Sequence, residues 1–398
     1  MERNRKATAA ATAMPDAPSG LWTALHDGVE QVTAELRRRV DRVVYRAQQT
    51  AIRLPLATTR ALVSTLVGDA SPDPAAEAAL RERYETLLAR DLANVAAGLY
   101  PRSLLYQIPF ARYARTLPTL LRDVPNVLRR VRARDYEDLP ADVDLARYPA
   151  YFRRNFHWQS DGYLSRRSAE VYDLAVELLF AGTADVMRRQ VIPPVSGVVG
   201  DGARVVRLLD VACGTGRTLA QIARAHPRLR LYGLDLSPYY LQVARRVLAD
   251  VPDVSLIAEN AERLPFRSGY FDVVTSVFLF HELPRPARRA VLAEMQRVLR
   301  PGGLLVIEDS AQLVESGELA FFLGRFAAEF HEPFYRDYVR DDLAAAVADV
   351  GLRVESVESH FVAKVVVARK LAGARGPASL HGGVAAQRRG HARRTRDS

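Results

Sequence analysis

Five short apolar runs, RVVRLLDVA, RLYGLDLS, VSLIAEN, FDVVTSVFLF and GLLVIEDS, recur between residues 204 and 310 and alternate with helical runs. Antiparallel strands close through tight turns, whereas parallel strands need a crossover of a dozen or more residues, usually a helix. The spacing therefore confines residues 201–370 to an α/β fold with a doubly wound, largely parallel sheet. A helical insertion follows at roughly 312–330, then a helix near 340–349 that Gly351 ends. LRVESVESHFVAKVVVARK then offers two strands suited to a closing hairpin.

Upstream the grammar is helical. From Ser19, an N-cap candidate, Leu21, Leu25, Val29, Val32, Leu36, Val40, Val43 and Ala47 recur three and four apart, the mark of an amphipathic helix. Arg37, Arg38, Arg39, Arg42 and Arg46 crowd its second half. A second helix carries Leu80, Tyr84, Leu87 or Leu88, Leu92, Val95 and Leu99 and stops at Pro101. In LPTLLRDVPNVLRRVRARDYEDLP, prolines 118 and 125 are expected to break a third. The organisation expected is a disordered start (1–18), an α-helical region (19–150) and a helical lid or linker (151–200) that Pro193–Pro194 close. The α/β domain (201–370) and a disordered basic tail (371–398) follow.

Composition narrows function less than pattern does. No apolar run reaches 18 residues, so no membrane span is expected. A single cysteine, Cys213, excludes an internal disulfide framework and fits a reducing cytoplasm. The net charge of +10 invites nucleic acid or membrane. Its weight falls on the helices and tail, and the basic residues include only three lysines. The tail lacks the interleaved aromatics of a stacking surface, so no specific nucleic-acid partner is expected. The Arg-rich helix reads as a solvated face, or as contact with a membrane surface or a partner helix.

The chemistry begins at RLLDVACGTGRT, residues 207–218. A glycine turn between strand and helix lets a ligand approach bare backbone. A phosphate-cradling loop needs Gly-Lys-Ser/Thr, and here Arg217 and Thr218 follow Gly216. A dinucleotide fingerprint needs a third glycine, and Leu219 stands there. An adenosyl pocket without pyrophosphate remains. Asp235, about 20 residues on at the end of the next strand, can accept both hydroxyls of a ribose. In AENAERLPF, Asn260 and Ala261 lie where a side chain and a backbone N–H can read an adenine edge. FDVVTSVFLFHELP ends the fourth strand with His281–Glu282 at the cleft mouth.

These signals, in this order over residues 200–370, resemble the class I S-adenosylmethionine-dependent methyltransferases. The likeness is strongest to the small-molecule group that includes ubiquinone and menaquinone C-methyltransferases. The resemblance implies a Rossmann-like seven-stranded sheet with a reversed last strand. It also implies S-adenosylmethionine as cofactor, held by Asp210, Gly214, Thr215, Gly216, Asp235, Leu236, Asn260 and Ala261. Ala212 replaces the first glycine of the family motif, and Asn260 stands where Asp is usual.

The acceptor expected is a small, hydrophobic metabolite offering oxygen, nitrogen or carbon. Rivals are an RNA or protein methyltransferase, a non-catalytic binding protein on the same fold and, third, a dehydrogenase. FHELP lacks the Asn/Asp-Pro-Pro-Tyr/Phe type of strand end found for nucleobase amino groups. His281 is the candidate general base, its ordinary pKa near 6.5 suiting proton transfer; alternatively it caps the next helix with Glu282. Phe156, His157, Trp158 and Tyr163 are expected to close as a lid over sulfonium and substrate. His331 and Tyr335, with Glu332 and Tyr338, form either a substrate wall or packing. No metal is expected, and a homodimer through the N-terminal helices is a further expectation.

Overall fold

A computed structural model describes residues 19–67, 74–200 and 204–372; the expectations for 1–18 and for the tail from 373 lie outside these residues. The chain divides into two units, residues 1–51 and 52–398. In the first, the described residues are helical, within α1 (Ser19–Val67). Val29, Val32, Leu36, Val40 and Val43 of the anticipated stripe are all exposed. Arg38 and Arg39 pair with Glu35 one turn away.

Residues 52–200 belong to the same unit as the sheet. Helix α2 (Pro74–Ala96) buries Tyr84, Leu87 and Leu88, and ends before Leu99 and Pro101. Helix α3 (Phe110–Ala133) runs through Pro118 and Pro125 without a break, contrary to expectation. Each proline forfeits one bond to the carbonyl four residues back. Those carbonyls belong to Ala114 and Leu121, both exposed, where water can satisfy them. Helix α4 (Arg166–Leu179) starts at Ser165, whose Oγ accepts the Ser168 N–H at 3.0 Å. Short helices α5 (Ala184–Arg188) and α6 (Ile192–Val199) follow. Pro193 and Pro194 open α6 instead of closing its predecessor, because a missing N–H is harmless in a first turn.

The sheet then unfolds nearly as the alternation dictates: β1 (Arg207–Val211), α7 (Arg217–Ala225), β2 (Arg230–Asp235), α8 (Pro238–Val247), β3 (Val254–Ala258), β4 (Phe271–Val277), α9 (Arg285–Val298) and β5 (Leu299–Ser310). Residues 259–270 join β3 to β4 without a helix. Helices α10 (Ala320–Glu329), α11 (Tyr335–Tyr338) and α12 (Leu343–Asp349) precede β6 (Leu352–His360) and β7 (Ala363–Lys370). The strand order is β3-β2-β1-β4-β5-β7-β6. Strands β1 to β5 pair in parallel, and β7 runs antiparallel to both its neighbours. This is the Rossmann-like seven-stranded sheet with a reversed terminal strand.

Alternate residues of each strand face opposite layers. Leu209, Val274, Leu305 and Ile307 pack with α9 and α12 residues such as Leu292 and Val347. Leu208, Val273, Leu304 and Val306 pack with Ile192, Leu219 and Leu241 on the other side. The order reverses between β1 and β4, and an open α/β sheet has its crevice at the carboxyl ends of such strands.

Candidate functional site

At that switch point lies a crevice walled by Gly214, Asp235, Leu236, Asn260 and Ala261 together with Tyr151, Phe152, Tyr163, Tyr172, Phe278 and Glu282. Strand β1 ends in a sharp turn with three left-handed residues: Ala212 (φ 59°), Gly214 (φ 53°) and Gly216 (φ 77°). Ala212, also in the crevice wall, holds that conformation at a cost of about 1–2 kcal/mol relative to glycine. The two glycines do different work. A Cβ on Gly214 would meet no protein atom within 4 Å, so it would stand in the crevice. A Cβ on Gly216 would meet Leu248 Cδ1 at 3.0 Å and Ala244 Cβ at 3.2 Å, on the side packed against α8.

Asp235 is held by its own backbone surroundings. The Gly214 N–H donates to Oδ2 and the Ser237 N–H to Oδ1, each at 2.8 Å. Burial pushes its carboxyl up to about 6, although both N–H groups pull the other way. Each oxygen keeps a lone-pair direction, so the carboxylate can still accept two hydroxyls. Asn260 Oδ1 accepts the Glu262 N–H at 2.8 Å, and its amide nitrogen donates to Glu262 Oε1 at 3.2 Å. Its oxygen also keeps one acceptor direction. The open backbone at Gly214, this carboxylate and the apolar Leu236 and Ala261 suit a ribose and a flat base; the loop offers no cationic side chain to a phosphate in the crevice wall.

Other residues expected at the cofactor are placed differently. Asp210 is buried behind the loop and absent from the crevice wall. Its Oδ1 accepts Thr275 Oγ1–H at 2.7 Å, and burial pushes its carboxyl up to about 7. Thr215 also points away: its hydroxyl donates to Asp173 Oδ1 at 2.6 Å, and Asp173 pairs with Arg112 at 2.6 Å. The glycine turn is thus strapped to α4 and, through α4, to α3. Arg217, first in α7, pairs with Asp185 of α5.

His281 is buried, outside the crevice wall, with Nδ1 2.6 Å from Asp309 Oδ1. Burial alone would lower its pKa, but Asp309 outweighs it, with Glu332 and Glu282 assisting, and brings it to about 9. The Asp309 carboxylate fixes the orientation of the ring, which stands outside the crevice wall. Asp309 at the end of β5 also accepts the Leu279 N–H at 3.0 Å and the Phe280 N–H at 2.6 Å. It fixes the 3₁₀ turn Phe280–Glu282 and so aims Glu282 at the crevice.

Of the four lid aromatics, only Tyr163 reaches the wall, its hydroxyl donating to Glu282. Phe156 is buried behind it, the rings stacked at 5.3 Å, and acts as its support. Trp158 and Tyr136 pack on His331, with ring centroids 5.3 and 4.5 Å away. Burial and Arg154 lower His331 to about 4, so it is neutral. Tyr335 is buried, its hydroxyl 2.6 Å from that of Ser310. His157 instead lies between two carboxylates, Nδ1 3.0 Å from Glu332 and Nε2 3.4 Å from Glu282. Burial opposes its protonation, and the two glutamates outweigh burial, raising it to about 10.

Sequence reasoning passed over Tyr151, Phe152, Tyr172 and Phe278 in the wall, and Asp309 beneath it. Tyr151 and Phe152 open the aromatic segment before α4 and could have been found with the other rings. Phe278 takes a left-handed φ of 58°, which no residue pattern announces.

The family model described as "Methyltransferase domain" matches residues 208–303. A demethylmenaquinone methyltransferase of Renibacterium salmoninarum is 38% identical over 141 residues, covering 35% of this chain and 54% of the relative. One from a Geobacillus species is 33% identical over 174 residues, 39% of this chain and 74% of the relative. One from Thermotoga maritima is 36% identical over 141 residues, 35% and 57%. The chain thus spans between about half and three quarters of the length of these curated relatives. Among solved structures, an O-methyltransferase family protein from Burkholderia thailandensis aligns with a TM-score of 0.40 at 23% identity, covering 53% of this chain and 64% of that one.

Proposed function

Because the chain belongs to the class I S-adenosylmethionine-dependent methyltransferases and resembles their menaquinone group, we propose that it methylates a small, hydrophobic metabolite. The observation that carries this reading is Asp235, a carboxylate fixed by two backbone N–H groups beside the open backbone of Gly214. Asp235 would accept the ribose hydroxyls, Leu236 and Ala261 would flank the adenine, and Asn260 would accept from its amino group. When bound, S-adenosylmethionine supplies an electrophilic methyl group on a sulfonium. Tyr163, Tyr172, Phe152 and Phe278 would exclude water and hold the acceptor in line, where alignment supplies much of the rate. Their faces also suit a cation.

Residues 151–200 would serve as lid and support, with Phe156 backing Tyr163. His331, Tyr335 and Trp158 would brace that lid from outside the crevice. Asp210 and Thr215 would act on the cofactor through the turn they anchor, and Gly216 through its packing.

The menaquinone-group relatives point to a quinone-type acceptor, and the apolar crevice agrees with one. Incubation with methyl-labelled S-adenosylmethionine and a lipid-soluble metabolite extract tests this. A labelled small product is expected; label appearing only in RNA or protein would overturn it.

The exposed stripe of α1, flanked by arginines, supports contact with an anionic membrane surface in an otherwise cytoplasmic enzyme. Among the described residues no helix is long and apolar enough to cross a membrane. Salt-sensitive flotation with anionic liposomes is the expected result. A concentration-dependent dimer without flotation would assign the stripe to a second copy instead.

A further inference from the structure

We propose that His157, Glu282 and Glu332 bind one divalent transition-metal ion at the edge of the crevice, and that the open position of this ion takes a hydroxyl oxygen of the methyl acceptor. The second half rests on the methyltransferase reading; the first does not. The three residues come from separate elements: the 3₁₀ turn before α4, the turn after β4, and the segment between α10 and α11. One ring nitrogen and one oxygen from each carboxylate already lie within 4.8 Å of one another. Donors about 2.0–2.2 Å from a zinc-sized ion stand roughly 3.4 Å apart, so side-chain shifts of about 1 Å would gather them.

Glu332 carries the inference. Its side chain is fully buried; Oε1 faces His157 Nδ1 at 3.0 Å, and Oε2 has no hydrogen-bond partner. A buried carboxylate oxygen without a donor is costly, and nature rarely leaves one so. The group it faces is His157, 3.0 Å away, whose other flanks are Phe326 and Phe330 with ring centroids at 6.3 and 6.4 Å. A divalent ion would take the place of the ring proton between the imidazole nitrogen and the two carboxylates, and one nitrogen with two oxygens suits zinc, manganese or ferrous iron.

Three protein ligands leave a position open, the pattern of a reactive site and not of a structural one. Glu282 is both a ligand in this set and part of the crevice wall. An acceptor hydroxyl placed on the ion would release its proton to solvent more readily, because the ion stabilises the oxyanion. That oxygen would then form the O–C bond as the methyl C–S bond breaks, its electron pair passing to sulfur. His281, held by Asp309, would not be needed as a base.

The test uses the full chain, stripped with EDTA and desalted, with Co²⁺ as probe. One Co²⁺ per chain is expected by calorimetry, with a visible absorption band that shifts when catechol is added. Glu332→Gln and His157→Gln should each weaken Co²⁺ binding at least tenfold, and Glu332→Asp should keep part of it. All three should bind S-adenosylhomocysteine within threefold of wild type, which shows them folded. No Co²⁺ binding by wild type, or equal binding by wild type and Glu332→Gln, would overturn the metal site. Co²⁺ bound without any response to catechol would overturn its contact with the acceptor. Co²⁺ bound by a chain that takes no S-adenosylhomocysteine would instead overturn the methyltransferase reading and leave the ion site standing.

Discussion

Replacing Gly214 and Gly216 separately with Ala imposes one backbone penalty in two different surroundings. Both residues sit at left-handed φ, 53° and 77°, where a Cβ costs about 1–2 kcal/mol. At Gly214 the new methyl meets no protein atom within 4 Å, so the stability loss should end there. At Gly216 it meets Leu248 and Ala244 at 3.0 to 3.3 Å, and overpacking adds about 1–3 kcal/mol. Gly216→Ala should therefore lose roughly 2–5 kcal/mol in all and Gly214→Ala about 1–2. Cofactor affinity should show the opposite order. The Gly214 methyl occupies crevice space and should weaken S-adenosylhomocysteine at least tenfold, about 1.4 kcal/mol. Gly216→Ala, measured below its unfolding transition, should stay within about threefold, roughly 0.6 kcal/mol. Urea titrations without ligand and calorimetry with S-adenosylhomocysteine read the two quantities independently. Unchanged affinity in Gly214→Ala, or an equal loss in both variants, would refute the division of labour assigned to the turn.

Two further outcomes follow from the buried acids and the histidine. Asp210 has a folded pKa near 7, raised by burial above its ordinary value, so the native chain holds this proton more tightly than the unfolded one. Its contribution to stability is fully present below about pH 4 and is lost as pH rises through 7. Asp210→Asn, whose oxygen can still accept from Thr275, should gain on wild type by on the order of a few kcal/mol between pH 4 and 8. Parallel urea midpoints across that range would contradict it. His281→Gln should retain S-adenosylhomocysteine binding and keep turnover within about tenfold, the outcome expected of a ring that braces a turn from outside the crevice wall. A loss of about 10²–10⁴ would restore the general-base role.

The α/β sheet was legible because each strand must bury two faces and each crossover must span a layer, which writes a long-range alternation into the chain. The places of Asp235, Gly214 and Asn260 in the crevice wall were legible for a related reason: they stand at or just beyond strand ends. Pro118 and Pro125 misled because the cost of an interior proline depends on whether water reaches the freed carbonyl, and exposure is a tertiary property. Phe156 and Tyr163 share one aromatic segment, yet one supports the wall and the other forms it; a 3₁₀ turn with His157 at φ 53° decides which. The partner of His281 was not legible because Asp309 lies 28 residues away on β5. Glu332 sits 175 residues from His157 in the chain, and only folding brings them to 3.0 Å.

The most direct measurement is a calorimetric titration of the full chain with S-adenosylhomocysteine, repeated with Asp235→Ala and with NADH as competitor. One molecule bound per chain by wild type, at least tenfold weaker binding by Asp235→Ala (about 1.4 kcal/mol) and no competition from NADH are expected. No binding by wild type, equal affinity in the variant, or displacement by NADH would contradict an adenosyl sulfonium site built on Asp235.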